Sequence, residues 1–425
     1  MRIFAQNQAK LVLAVTGIVA FASGCTFMRA RDDLARLNHA VRISGTVTSP
    51  CETDKPLCVA LYKDTPGLGN KTLVAYQVVY KKGAFDFLQE PGTYYLFAFE
   101  DANEDYAFQG TERVGWYGSP SRLTVAPGRK SDAIELALRP PEQARKELPF
   151  LYVNAKLQVP MTVENKHVGT VLNLSDPRFD RETGVLGMWE PVTFFERYGA
   201  GLYFLQPYDD GKIPVLFVHG VGGTPRNFAT LAGQLDRSRF QPWVVHYPSG
   251  VRLSLLADGF ATLLTEAKAR YKFTKVIVVA HSMGGLVARG GINRLTSAGK
   301  AFVPLFVSIS TPWQGHPGAA LGVEHSPVIP PCWYDMAPGS PYLKALRETS
   351  LPAMTDYYLL FSYRGGKAML TDGNTDGTLP LASMLDLAMQ NSAVKMFGFD
   401  ETHASILESQ AVSVCLNRIL DTISR

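Results

Sequence analysis

The stretch KVIVVAHSMGGLVAR (residues 275–289) constrains this chain more than any other. Its continuous β-branched run reads as a strand buried on both faces, the kind found in sheets covered by helices on either side. The apolar spacing after the glycines reads as a helix. Only a sharp turn fits between them, and Ser282 stands in that turn. Ala280 and Gly284, two residues to either side, are small enough to let strand and helix pass. The Ser282 hydroxyl is thereby lifted above the sheet edge with a helix N-terminus aimed at it.

The surrounding pattern agrees. Residues 213–218, 243–247, 276–280, 303–309, 357–362 and 394–399 read as strands. Between and after them, residues 228–235, the face Leu256, Phe260, Leu263, Leu264 and Ala267, and residues 406–423 read as helices. This alternation predicts an α/β domain with a mostly parallel sheet over about residues 150–425. An earlier region has period two instead: residues 41–47, 59–62, 74–80, 84–88, 94–99 and 134–138 alternate, separated by turns such as Pro66-Gly67 and Pro91-Gly92. Short strands at this spacing predict a small all-β sandwich over residues 41–140, ending at Pro140-Pro141.

With these residues in view, the second region resembles the α/β-hydrolase superfamily, in its bacterial lipase/esterase branch and near the GPI-inositol-deacylase-like serine hydrolases. The resemblance covers about residues 190–425. Its motifs are PVLFVHGVGG (214–223), VVAHSMGGLVAR (278–289), STPWQG (310–315) with a later GSPYL (339–343), and a late Asp-Gly and His. It implies an α/β-hydrolase fold and a triad of Ser282, an acid and a histidine in that chain order. Asp376, before Gly377 and a Thr-Leu-Pro-Leu run, matches the acid motif better than Asp372. His403, after the last strand, takes the place of the general base. The oxyanion hole falls to the N–H groups of Val221 and Met283. His219 is then structural, while His316 and His325 belong to the insertion. The implied activity is hydrolysis of carboxylic esters, lipid acyl esters above all, through an acyl-enzyme and without a cofactor. An acyltransferase of the same fold and a non-catalytic envelope-binding lipoprotein are the competing readings.

The β-region, with its strand, Gly-x-Phe-x-Phe, Pro-Gly-x-Tyr and Asp-x-Asn order, resembles prealbumin-like accessory domains. Asp101, Asn103, Asp105 and Glu112 there copy the spacing of a calcium loop, and Asp372, Asn374 and Asp376 copy a shorter one. Tyr106 stands where a calcium loop needs glycine, so a solvated acidic loop is expected and no metal is assigned.

The first 24 residues read as an address. Arg2 and Lys10 precede an apolar run over residues 11–22, short of the ~20 residues of a membrane span. Ala22-Ser23-Gly24-Cys25 resembles a lipobox, so Cys25 is the expected acylated N-terminus of an outer-membrane lipoprotein, with residues 25–40 as a helical or extended tether. Such a compartment is oxidising, which makes Cys51, Cys58, Cys332 and Cys415 disulfide candidates, Cys51–Cys58 and Cys332–Cys415 being the natural pairs and buried thiols the alternative. With 46% hydrophobic residues the chain is not disordered. A net charge of +4 spread over 425 residues excludes a nucleic-acid partner. Residues 313–352 form an insertion over the sheet edge. Its Trp313, Val328, Ile329, Trp333, Tyr334, Met336, Tyr342 and Leu343 either line an acyl-chain pocket or pack the insertion onto the core.

Overall fold

A computed structural model describes residues 24–51, 53–63, 73–80, 83–105, 107–118, 122–126, 131–147, 168–367 and 373–423. The expected signal segment, Tyr106 and Asp372 lie outside them, as does the side chain of Cys25. The chain divides into two units: residues 35–166, and residues 167–425 together with the N-terminal segment through Leu34. Helix α1 (Gly24–His39) occupies the segment expected as a tether.

The first unit holds β1 (Val41–Thr48), β2 (Pro56–Lys63), β3 (Leu73–Tyr80), β4 (Gly83–Gln89), β5 (Gly92–Glu100), β6 (Val114–Trp116), β7 (Leu123–Val125) and β8 (Ser131–Ala137), closed by α2 (Pro141–Glu147). One sheet has the order β4-β1-β8 and the other β3-β2-β5-β6, with β7 on β5. Pairing is antiparallel except between β1 and β8. Ile43, Val47 and Leu136 of one sheet share a core with Val59, Leu61 and Leu96 of the other. β2 does not alternate in burial, because Cys58, Ala60 and Tyr62 on its other face pack with Phe97, Phe99, Trp116 and Ala144 of α2. Gly45 is required where β1 passes β8: a Cβ there would lie 2.0 Å from the Ile134 carbonyl oxygen.

The second unit runs β9 (Val168–Val171), α3 (Arg181–Trp189), α4 (Pro191–Arg197), β10 (Gly201–Phe204), β11 (Ile213–Val218), α5 (Ala229–Gly233), β12 (Phe240–His246), α6 (Leu253–Tyr271), β13 (Ile277–His281), α7 (Met283–Ser297) and β14 (Leu305–Ile309). The expected insertion follows as α8 (Pro317–His325), α9 (Cys332–Met336) and α10 (Pro341–Glu348). Then come β15 (Asp356–Ser362), β16 (Gly366–Lys367), β17 (Asn374–Thr375), α11 (Leu381–Met384), α12 (Leu387–Ser392), β18 (Lys395–Phe399) and α13 (Gln410–Leu420). The main sheet has the order β18-β15-β14-β13-β11-β12-β10-β9. It is parallel except where β10 meets β12. Its central strands are buried along their whole length. Phe217, Val279 and Val307 on one face pack with Leu231 of α5 and Leu416 and Ile419 of α13. Ligand sites in such sheets lie beyond the C-terminal strand ends.

The structure corrects the disulfide expectation, since none joins the described residues. Cys58 is buried in the β core while Cys51 is exposed on the preceding loop, 3.6 Å from the Arg113 guanidinium. Cys332 is buried in α9 within the insertion, whereas Cys415 packs in α13 against the core shared with α5. The two cysteines of each expected pair thus serve different packing environments.

The insertion divides between the two alternatives. Trp333 and Met336 face the cleft described below. Trp313 is buried instead, edge-on to Phe306 and Tyr357. Tyr342 donates to the Leu286 carbonyl of α7, and Val328 and Leu343 are core residues. Four of the eight apolar residues, Trp313, Val328, Tyr342 and Leu343, therefore hold the insertion down.

Candidate active site

Ser282 lies between β13 and α7 with φ 54° and ψ −131°. A non-glycine residue there stores strain, which costs on the order of 1–3 kcal/mol and persists only where the surroundings enforce it. Here Ser282 N–H donates to the Ile309 carbonyl at 2.9 Å. Gly284 is obligatory, because a Cβ would lie 2.4 Å from the carbonyl oxygens of both Val218 and His219. Gly220 is equally constrained, since its Cβ would lie 2.9 Å from that of Ser282.

His403 follows β18 and reaches back across the sheet edge. Its Nε2 is 3.0 Å from Ser282 Oγ, and its Nδ1 donates to Asp376 Oδ2 at 2.7 Å. Its backbone is fixed as well: His403 N–H donates to the Asp376 carbonyl, and His281 Nε2 donates to the His403 carbonyl, both at 2.9 Å. Burial drives His281 down to about 3, so it stays neutral and acts as that donor. The sequence gives no sign of this role for the residue beside the serine.

Asp376 has no exposed surface. Oδ1 accepts from the N–H groups of Thr378 at 3.0 Å and Leu379 at 2.7 Å, and Oδ2 accepts from Ser362 Oγ at 2.8 Å besides His403. Burial pushes its carboxyl up, but hydrogen bonds from His403, Leu379 and Ser362 and the electrostatic pull of the His403 ring together hold it below the usual range. Behind Ser362 stands Ser310, 2.7 Å away by their hydroxyls and itself at φ 47°. Ser362 carries no sequence signal, and Ser310 is legible only as the first residue of the STPWQG run.

The loop after β11 brings Val221 to the cleft beside Ser282. Among the described residues, neither Val221 N–H nor Met283 N–H has an acceptor. The loop is braced from below. His219 Nδ1 donates to the Gly220 carbonyl at 2.9 Å, and its Nε2 lies 3.3 Å from His246 Nδ1. His246 Nε2 is 3.2 Å from the Thr183 hydroxyl of α3, and Tyr247 donates its hydroxyl to the His219 carbonyl. Burial lowers His219 to about 4, so this chain is uncharged. Ser249 Oγ accepts from Gly222 N–H at 2.8 Å.

Ser282 and His403 open into a cleft of about 1250 Å³. Met188 and Trp189 of α3 and Trp333 and Met336 of the insertion give it an apolar wall. His316, expected as a surface or insertion residue, also lines it; its Nδ1 accepts from Gly318 N–H at 2.8 Å, capping α8. His325 ends α8 in solvent. The acidic loop of the β-unit is occupied by its own chain. Glu112 accepts from Ala102 N–H and Gln109 N–H, and Asp105 accepts from Ala107 N–H.

Residues 215–399 match the α/β hydrolase family. This chain contains an α/β-hydrolase domain. Solved structures similar to the α/β-hydrolase domain include the mature lipase BlEst2 of Bacillus licheniformis, at 18% identity and TM-score 0.42, covering 52% of this chain and 98% of that one. The product of gene lin2722 from Listeria innocua is 17% identical, with TM-score 0.37, over 50% of this chain and 96% of that one. Phospholipase PlaB from Legionella pneumophila is also 17% identical, with TM-score 0.35, over 41% and 45%. No curated protein matches the chain in sequence.

Proposed function

We propose that the α/β-hydrolase domain is a serine hydrolase that cleaves carboxylic esters, lipid acyl esters foremost. The single observation that carries this reading is the unbroken line from Ser282 Oγ through the His403 ring to Asp376 Oδ2, with 3.0 and 2.7 Å steps. In this reading Ser282 attacks the ester carbonyl while His403 Nε2 takes its proton. Asp376 keeps the imidazole in the tautomer that bears the proton on Nδ1 and stabilises the imidazolium that forms. The unengaged N–H groups of Val221 and Met283 receive the oxyanion; losing one such donor costs roughly 10²–10³ in rate. His403 returns the proton to the leaving alcohol, and water, activated by the same ring, cleaves the acyl-enzyme.

The apolar cleft wall suits an acyl chain, each buried CH₂ contributing roughly 0.8 kcal/mol. Medium or long chains should then be turned over better than acetyl. We further propose that Cys25 is acylated and holds the enzyme on the bacterial outer membrane. The test of the activity is kcat/KM on p-nitrophenyl esters with the Ser282→Ala and His403→Ala proteins beside the wild type. Each variant should fold and lose nearly all turnover, with no further loss on combining them. A folded Ser282→Ala protein with wild-type turnover contradicts the proposal.

A further inference from the structure

Helix α3 turns one stripe toward the mouth of the cleft. Arg181 and Trp189 line the cleft, and Val185 lies one helical turn from each, on the same face. Val185 is nonetheless 48% exposed. Tyr334, next to the cleft-lining Trp333 on α9, is 43% exposed. Trp189 and Trp333 meet edge to face with centroids 5.7 Å apart, joining α3 to α9. Val185 and Trp189 on α3 and Trp333 and Tyr334 on α9 thus set apolar and aromatic side chains beside the entrance, with the Arg252 guanidinium 5.6 Å from the Tyr334 ring.

A second observation concerns the N-terminal helix. Asp33 of α1 is buried, with Oδ1 accepting from Val192 N–H and Oδ2 from Thr193 N–H, both at 2.8 Å. It caps the start of α4, where a carboxylate is favoured by the helix dipole. Ala30 and Leu34 share its buried face. At 1.5 Å per residue, Cys25 lies about 12 Å along α1 from that cap. The capped N–H groups are three and four residues beyond Trp189, the end of the stripe.

We infer that the rim formed by Val185, Trp189 and Tyr334 docks into the lipid surface that holds the anchor, with α1 as the strut that keeps it there. The inference rests on the proposed acylation of Cys25. A strut this short brings the rim and the anchored residue to one bilayer. Tryptophan and tyrosine settle at the headgroup level, and exposed apolar side chains bury a few ångströms deeper. Arg181, at the start of the stripe, suits anionic headgroups. An ester then enters the cleft from the bilayer without crossing water.

The test uses the full chain, purified with its anchor and reconstituted into vesicles of phosphatidylethanolamine and brominated phosphatidylglycerol. Tryptophan fluorescence should be quenched in the wild type and largely recovered in Val185→Glu. The same variant should lose roughly tenfold or more in turnover of a vesicle-borne ester, equivalent to about 1.4 kcal/mol. Its turnover of soluble p-nitrophenyl butyrate should stay within about twofold of wild type. Tyr334→Ser, a milder change at an exposed site, should move both vesicle readouts the same way by less. Equal quenching and equal vesicle turnover in all three proteins overturn the inference, and so does a Cys25 peptide that carries no acyl chain. The quenching arm still reads docking if no ester is cleaved. Soluble turnover without quenching overturns docking and leaves the hydrolase reading standing.

Discussion

The two units bury charge to different ends. In the β-unit, Glu112 is buried and spends both carboxylate oxygens on its own loop, accepting from Ala102 N–H at 2.8 Å and Gln109 N–H at 2.7 Å. In the α/β-hydrolase domain, buried Ser282, Asp376, His219, His281, Ser310 and Ser362 gather around the C-terminal ends of one sheet. Backbone strain follows the same division. Glu104 and Ala133 have positive φ in the β-unit, Glu104 on an exposed loop and Ala133 within β8, where the register with β1 shifts. In the hydrolase domain Lys272 has it as the C-cap of α6, while Ser282 bears the hydroxyl at the cleft and Ser310 backs Asp376 through Ser362. Buried polarity and strain therefore mark chemistry only where they converge on a cavity; elsewhere they fold a loop.

The contrast breaks most visibly at the two buried carboxylates. Asp376→Asn should lower ester turnover by about 10⁴-fold, as expected when the histidine loses its orienting acceptor. Glu112→Gln should leave turnover unchanged and instead lower the stability of the β-unit by about 1–3 kcal/mol, because an amide cannot accept both N–H groups. Ester assays and urea unfolding on the two proteins check this pair, and a kinetic defect in Glu112→Gln would dissolve the distinction.

A smaller effect is expected from Ser362→Ala, which removes one of two donors to Asp376 Oδ2. Here kcat should fall about tenfold with KM unchanged, since a hydrogen bond to a charged group is worth about 1.5–3 kcal/mol and part of it is regained by relaxation. A change in KM alone would assign Ser362 to packing.

The units should also respond oppositely to pH. His219 and His281 are held down to about 4 and about 3, and His246 is well below its usual value, all by burial. Unfolded, they take up protons below about 6.5, so the hydrolase domain has their stabilisation above that pH and loses it toward pH 4. Glu266, pushed up to about 8 by burial, opposes this trend in the same domain; the three histidines outweigh it. Burial raises Glu112 to about 7, so the β-unit keeps its full stability below about pH 4.5 and loses it as pH rises through 7. Urea midpoints read peptide by peptide through hydrogen exchange, at pH 4.5 and pH 7, should move in opposite directions for β13 and β2. The smallest effect belongs to Ala133→Gly, which relieves a φ of 61° and should stabilise the β-unit by about 0.5–1 kcal/mol in the same assay.

The sequence was most legible where burial is total. β11 covers residues 213–218, as its continuous apolar run predicts, because a strand buried on both faces needs no alternation. Asp376 and His403 were legible because they occupy fixed places after strands that are themselves plain. Helix α3 was not: its buried Thr183, Gly184, Gly187 and Met188 show no apolar stripe. Close approach is its packing signal, since a Cβ on Gly184 would lie 2.5 Å from the Gly222 carbonyl oxygen. Met188 and Trp189, half of the apolar cleft wall, were hidden with it. The roles of Ser310 and Ser362 were invisible for a related reason, because a serine in a strand end looks the same whether or not a carboxylate lies behind it. The disulfide expectation came from compartment and count, neither of which reports where a strand points its thiol.

The account's central claim is that Ser282 is the one nucleophile activated by His403 and Asp376. Intact-mass and peptide mapping after reaction with a fluorophosphonate tests it directly. The account predicts one adduct per chain, on Ser282, formed slowly in Asp376→Asn and absent in Ser282→Ala. An adduct on another residue, or a wild-type protein that hydrolyses esters while Ser282 remains unmodified, would contradict it.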